Sequence, residues 1–190
     1  MRTSEILYLL LVGAVALARL VELRLAQRNR RALVAQGGIE VGAAHYPWMV
    51  ALHALFLTAA PLEVVLLHRP FRPFLAAAML VLLAAAMTLR YAAITTLGER
   101  WTTRILVVPG LPPVVSGPYR FLRHPNYVAV VLEMAALPLV HGAWWTATVF
   151  SLANLLLLRV RIRAEERALA EAGPYASRFA ATPRFVPGIR

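Results

Sequence analysis

The sequence predicts an all-α integral membrane bundle of about five transmembrane helices, and three observations carry that expectation. Of the 190 residues, 60% are hydrophobic, against roughly 45–50% in soluble domains. The apolar residues gather in runs long enough to approach the ~20 residues that a helix needs to cross a hydrocarbon core. The basic residues, which leave a net charge of +11, fall between those runs and not along one polar face, which argues for membrane boundaries over nucleic-acid binding.

The first run, Ile6 to about Leu23, resembles a signal peptide in position. It lacks a small-residue cleavage site and is followed by further apolar segments, so a retained helix is expected. Arg24, Arg28, Arg30 and Arg31 follow it, then a second run from Tyr46 to Leu67 and a third from Phe74 to about Leu97. The turn between these two holds only Arg69, Arg72 and histidine, whereas Arg100, Arg104, Arg120 and Arg123 crowd the next connection. Tyr127 to Val140 and Trp144 to Leu158 are shorter runs separated by His141-Gly142-Ala143. They are expected to form a tight hairpin with Trp144 and Trp145 at the interface. The tail from Arg159 to Arg190 begins as an amphipathic helix and ends in Pro183-Arg184-Phe185-Val186-Pro187.

Positive charge marks the cytosolic side of a membrane protein, so the alternation places the N-terminus outside and both long basic segments and the C-terminus in the cytosol. With no repeat and no low-complexity linker, residues 1–190 read as one domain: three helices in 1–97, then a Gly/Pro-rich loop, a helical hairpin and a C-terminal helix in 98–190. All basic side chains are arginine and all acidic ones glutamate. That bias fits a GC-rich bacterial genome, so a bacterial inner membrane is the expected location.

Several chemistries are excluded. Without cysteine there are no disulfides, thiolate metal sites or cysteine nucleophiles. No Gly-x-Gly-x-x-Gly, phosphate-cradling Gly-Lys-Ser or His-Glu-x-x-His is present. The histidines form no metal-binding constellation, and His53 and His141 read as polar or interfacial neighbours. What remains is Gly117-Pro118-Tyr119, then Arg123-His124-Pro125-Asn126-Tyr127, then Arg161 and Glu165-Glu166. Pro125 suits the first turn of a helix. His124 then stands at a helix N-terminus, where free N–H groups favour a carboxylate such as that of an amino-acid-like cofactor. The plainer reading is a membrane-entry cap with Arg120 and Arg123 on lipid phosphates. Arg161 and Glu165, four apart, share a face and could simply pair. Alternatively Arg161 holds a carboxylate at interface depth and Glu165 meets an ammonium. Glu166 points about 100° away and reads as a supporting partner. Of the intramembrane carboxylates Glu63 and Glu133, the second lies two turns beyond His124 and is the candidate base. Pairing with Arg90 or protonation is the alternative for either.

Gly-x-Tyr, Arg-His-Pro-x-Tyr and a distant Glu-Glu-x-x-Leu, in that order, resemble the isoprenylcysteine carboxyl methyltransferase family and related membrane phospholipid methyltransferases. The resemblance covers roughly Gly98 to Pro187. It implies a compact helical bundle that binds S-adenosylmethionine in a cytosolic-side pocket, formed by the loop before the fourth helix and the C-terminal helix. By position it implies cofactor contacts from Tyr119, His124, Pro125, Asn126, Tyr127, Glu165 and Val114, and an acceptor-carboxylate role for Arg161; Leu111, Pro112 and Pro113 depart from the family in type, so a contact from Pro113 is expected through its backbone. Ala129 stands where the family often has glycine. The expected activity is O-methylation of a lipophilic acceptor, small-molecule or prenylated, entering from the bilayer. The catalytic candidates are Arg161 and Glu133, and the protein is expected to act as a monomer among membrane lipids without nucleic acid. A long-chain phenolic or pyrone lipid is the alternative acceptor, and a non-enzymatic membrane scaffold the alternative from another class.

Overall fold

The computed structural model describes residues 1–185. Val186, Pro187 and Arg190, named in the sequence reading of the tail, lie outside the described residues. The chain is an all-α membrane bundle. Helices α1 (Thr3–Ala35), α2 (Tyr46–Leu66), α3 (Pro73–Leu97), α4 (Pro125–Leu139) and α5 (Trp144–Ala172) form it, and a short α6 (Tyr175–Arg178) closes the tail. Four of these are long and apolar enough to cross a membrane; the shorter apolar α4 packs between α3 and α5. Large apolar side chains such as Phe74, Trp48, Leu20 and Leu156 are exposed on the outer surface. In a soluble protein so much exposed apolar surface would be a liability, whereas in lipid it is the solvated face.

Two helices run further than the hydropathy runs suggest. No Gly or Pro interrupts the chain between Arg24 and Ala35, so α1 continues about three turns past its apolar run and carries the first arginine cluster with it. It stops where Gly37 adopts a left-handed φ of 84° and the Gly38 N–H turns back to Leu33 O, at 2.8 Å. Likewise the fifth span and the amphipathic tail helix are one helix, α5, since nothing around Arg159 breaks it. This continuity matters for the site, because it fixes Arg161 and Glu165 rigidly below the membrane portion.

A feature absent from the sequence reading is a two-stranded antiparallel ribbon, β1 (Ile39–Val41) with β2 (Ile105–Val107), paired Ile39↔Val107, Glu40↔Leu106 and Val41↔Ile105. It ties the α1–α2 connection to the α3–α4 connection. Glu40 accepts hydrogen bonds from Arg30, at 3.0 Å, and from Arg104. Burial opposes its ionisation, but those two guanidiniums outweigh it and hold the carboxyl below its usual range. The Asn29 amide adds a second tie, donating to Gly98 O at 3.1 Å and Trp101 O at 2.9 Å.

At the opposite end, Glu63 does not pair with Arg90. Its carboxylate takes the Trp145 N–H at 3.1 Å, the Thr146 N–H at 2.6 Å and the Thr146 hydroxyl at 2.7 Å, and it is clamped by Arg69 at 2.7 Å. It is therefore the N-terminal cap of α5, supplied from α2, where the helix dipole favours a negative charge.

Both arginine-rich connections and the tail are thus gathered on one face of the bundle, as the charge alternation requires. A reporter fused after Arg190 is expected to report cytosol, and one fused before Thr3 the opposite side. A C-terminal reporter found outside would remove the cytosolic side from everything proposed below.

Candidate functional site

The site grows out of the start of α4. Gly117 sits at φ 53°, a left-handed value, with α3 so close that a Cβ there would strike the Thr96 side chain. That approach lays the Gly117–Arg120 turn against α3 and buries Tyr119. The chain then enters α4 with His124 just before it and Pro125 in its first turn. Burial, reinforced by the Glu165 carboxylate, pushes the Tyr119 phenol up, so it remains a donor.

Arg161, Tyr127 and Glu165 form one chain of hydrogen bonds. The Tyr127 hydroxyl donates to Glu165 Oε2 at 2.5 Å and accepts from Arg161 Nε at 2.7 Å, while Arg161 Nη2 donates to Thr103 O at 2.8 Å. Arg161 and Glu165 therefore do not make the direct i,i+4 pair that the spacing allows; the phenol stands between them. Arg161 Nη1 has no hydrogen-bond partner among the described residues.

The neighbouring carboxylate behaves differently. Glu166 meets His124 Nε2 at 3.1 Å and is gripped by Arg184 through two bonds of 2.9 and 2.6 Å. Arg184 belongs to a strap whose backbone pairs with the entry to α4: the Arg123 N–H donates to Pro183 O at 2.9 Å and the His124 N–H to Arg184 O at 3.3 Å. Glu166 is thus the supporting partner the helical spacing suggests, holding His124 so that its ring stacks on Tyr127 at 5.3 Å. Glu165 takes no part in this grip, and its partner is Tyr127.

These residues open on one cavity of about 500 Å³. Pro113, Val114, Tyr119, His124, Asn126, Tyr127, Arg161 and Glu165 all line it. Pro125 does not: it is fully buried and serves the site by starting α4. Glu133 does not either. Its carboxylate lies 3.3 Å from Arg90 Nη1 and 3.8 Å from Arg19 Nε, inside a buried cluster completed by Glu22. A carboxylate already shared between two guanidiniums is a poor base, so of the two roles weighed for Glu133 the pairing with Arg90 is what the geometry favours.

The sequence reading missed the other end of this cavity. Arg19 and Glu22 of α1, His53 of α2, Arg90 of α3 and Asn154 of α5 also line it. The available signal was Arg19 and Glu22 three apart inside an apolar run, where ionisable residues rarely lack a function or a partner. Tyr175, which lines the loop end with Phe179, was likewise not anticipated. Its phenol is pushed up by burial and then by the nearby Glu166 and Glu165.

The family model of the isoprenylcysteine carboxyl methyltransferase (ICMT) family matches residues 77–171, from α3 to the end of α5. The chain is 40% identical over 166 residues to the uncharacterized protein YpbQ of Bacillus subtilis, covering 87% of this chain and 98% of that one. It is 31% identical over 157 residues to an uncharacterized protein of Haemophilus influenzae, covering 82% and 91% respectively. The cobalt-zinc-cadmium resistance protein CzcN of Cupriavidus metallidurans is 38% identical over 77 residues, 40% of this chain and 36% of its own.

Proposed function

The chain belongs to the isoprenylcysteine carboxyl methyltransferase family of membrane methyltransferases, and from that premise we propose that it transfers a methyl group from S-adenosylmethionine to an oxygen of a lipophilic acceptor drawn from the bilayer. The observation that supports this reading best is the continuity of the cavity. Its loop end is polar and faces the basic side of the bundle. Its other wall is formed by Ala16, Leu20 and Leu23 of α1 and Val50, Ala54 and Leu57 of α2, among them residues also exposed on the lipid-facing surface. A water-soluble cofactor and a membrane lipid can thus reach one chamber from different phases.

The residues at the loop end suit the cofactor. Asn126 Oδ1 and Tyr175 Oη are buried without a hydrogen-bond partner among the described residues, and both side chains line the cavity. Such atoms are what a polar ligand satisfies. Glu165 offers its Oε1 to an ammonium while Tyr127 holds Oε2. The bound sulfonium supplies an activated methyl. The protein's part is to align it with the acceptor oxygen at Arg161 Nη1 and to keep water out, through positioning and desolvation. A carboxylate acceptor is already ionised and needs only that clamp. A ring hydroxyl is the second reading, favoured by the free His53 Nε2 in the cavity wall.

Purified protein incubated with isotopically labelled S-adenosylmethionine and a lipid extract is expected to place label in a lipid, read by mass spectrometry. Absence of label in every lipid, with the cofactor bound, would favour a scaffold. In the same preparation Glu165→Gln is expected to weaken cofactor binding by calorimetry about tenfold, the worth of one charge-assisted contact. Unchanged affinity would confine Glu165 to holding Tyr127.

A further inference from the structure

Beside the main cavity lies a second, much smaller space. Between α2 and α5 a chamber of about 10 Å³ is enclosed by His45, Met49, Asn154, Leu157, Leu158 and Arg161. Arg161 and Asn154 line the main cavity as well, whereas His45 belongs to the chamber alone. The polar atoms brought to this chamber are unmatched. Asn154 is 2% exposed, and its Nδ2 is buried without a partner among the described residues. His45 Nε2 is buried and unpartnered too, although the residue as a whole is part-exposed. A guanidinium carries five N–H donors, and buried Arg161 spends one on Tyr127 and one on Thr103 O. Three side chains from two segments of the chain thus bring unsatisfied polar groups to a single space.

Local geometry explains the meeting. Asn154 and Arg161 are seven apart, two turns along one face of α5. An arginine leans toward the N-terminus of its helix, here back toward Asn154. His45 stands immediately before α2, and its ring lies against Gly42, where φ is 68° and any Cβ would strike the ring at Cε1. The ring keeps its place only while residue 42 is glycine.

A space of this size admits about one water, and a buried water needs two to four polar partners. The set present matches it: two donors in Asn154 Nδ2 and Arg161 Nη1, and, with the imidazole proton on Nδ1, an acceptor in His45 Nε2. We propose that one ordered water fills the chamber, donating to His45 Nε2 and accepting from Asn154 Nδ2 and Arg161 Nη1, and that His45 is through it a positioning residue for methyl transfer. Nη1 has two N–H groups, so the water takes one and leaves the other to the acceptor oxygen. Tyr127 and Thr103 hold Nε and Nη2; the water fixes the remaining nitrogen of the fork. The positioning role rests on the methyltransferase reading, whereas the water itself does not.

Two measurements on full-length protein in lipid nanodiscs test this. The first is the initial rate of label transfer from saturating S-adenosylmethionine to a total lipid extract. His45→Phe, which removes Nε2, and Asn154→Leu, which removes Nδ2 at similar volume, are each expected to slow it roughly tenfold. Cofactor affinity by calorimetry should be unchanged in both. Because both act through one water, the double variant should be no slower than the slower single variant. A glutamine amide can reach the position of Nε2 and an asparagine amide cannot, so His45→Gln should recover part of the rate and His45→Asn none. Losses that multiply in the double variant, or equal rates for His45→Gln and His45→Asn, overturn the positioning role. The second measurement is a structure of the wild type at a resolution that shows ordered waters. A water within hydrogen-bond distance of His45 Nε2, Asn154 and Arg161 supports the proposal, and a chamber without one overturns it. If no lipid is labelled, the transfer reading fails by itself and this structure alone decides the water.

Discussion

Replacing Arg161 by alanine is expected to lower kcat/KM for methyl transfer by on the order of 100-fold, about 3 kcal/mol, because the side chain makes one buried and one part-buried hydrogen bond as well as presenting Nη1 to the acceptor. The loss should exceed that of a simple clamp. Tyr127 would be left with Glu165 alone, and Thr103 O would lose its donor. Cofactor affinity should fall too, but less, since the hydrogen-bonded chain reaches Glu165 only through the Tyr127 phenol. Lysine should not rescue, as a point charge cannot replace the guanidinium fork between Tyr127 and Thr103. The pH profile of the wild type separates the two acceptors. A carboxylate with a pKa near 4 is ionised throughout roughly pH 6 to 9, giving a flat profile, whereas a phenol with a pKa near 10 gives a rate that climbs with pH. A steep climb together with a silent Arg161→Ala would remove the carboxylate reading and leave Arg161 a structural residue.

A comparably large effect, on stability, is expected at Arg90. It bridges Glu22 and Glu133 at 3.0 and 3.3 Å with all three side chains about one-tenth exposed or less. Arg90→Met strips the compensation from two buried carboxylates and leaves Arg19 as the only cation among the four. Breaking a buried ion pair from one side costs about 3–5 kcal/mol, far more than the intact pair contributes. In a chain of this size the midpoint of thermal unfolding should drop by about 10 °C. The sign of the rescue is specific: Arg90→Met with Glu133→Gln returns the cluster to neutrality and should recover more than half of the loss. Equal melting of the single and double variants would show that the damage comes from lost packing and not from uncompensated charge.

The reach of sequence reasoning differs residue by residue. His124, Tyr127, Glu165 and Arg161 were legible because their neighbours constrain them locally: a proline that starts a helix, and a four-residue spacing that aligns two side chains. The different fates of Glu165 and Glu166 were legible as a difference in direction, about 100° apart on one helix. Their actual partners were not, since Glu166 is held by Arg184, from a strap 18 residues further on. For Glu133 the sequence left a base and a partner of Arg90 both open, and only the placement of Arg90, 43 residues away, beside it favours the pairing. The ribbon was invisible because three-residue strands leave no periodicity to detect.

By itself, then, the sequence determined the class of molecule, the apolar runs that become its spans, the face on which its arginines gather, and the stretch that lines the loop end of the cavity. Each of these is written in short-range composition, in the cost of exposing backbone to lipid and in the preferences of helix termini. Only the tertiary structure decided which charges neutralise one another and which polar atoms are left to face the cavity. Helical periodicity tells which side of a helix a residue occupies but not which helix lies opposite. Glu22 and Arg90 meet across 68 residues of chain, and it is their unequal sharing of Glu22's two oxygens that leaves the membrane end of the cavity polar.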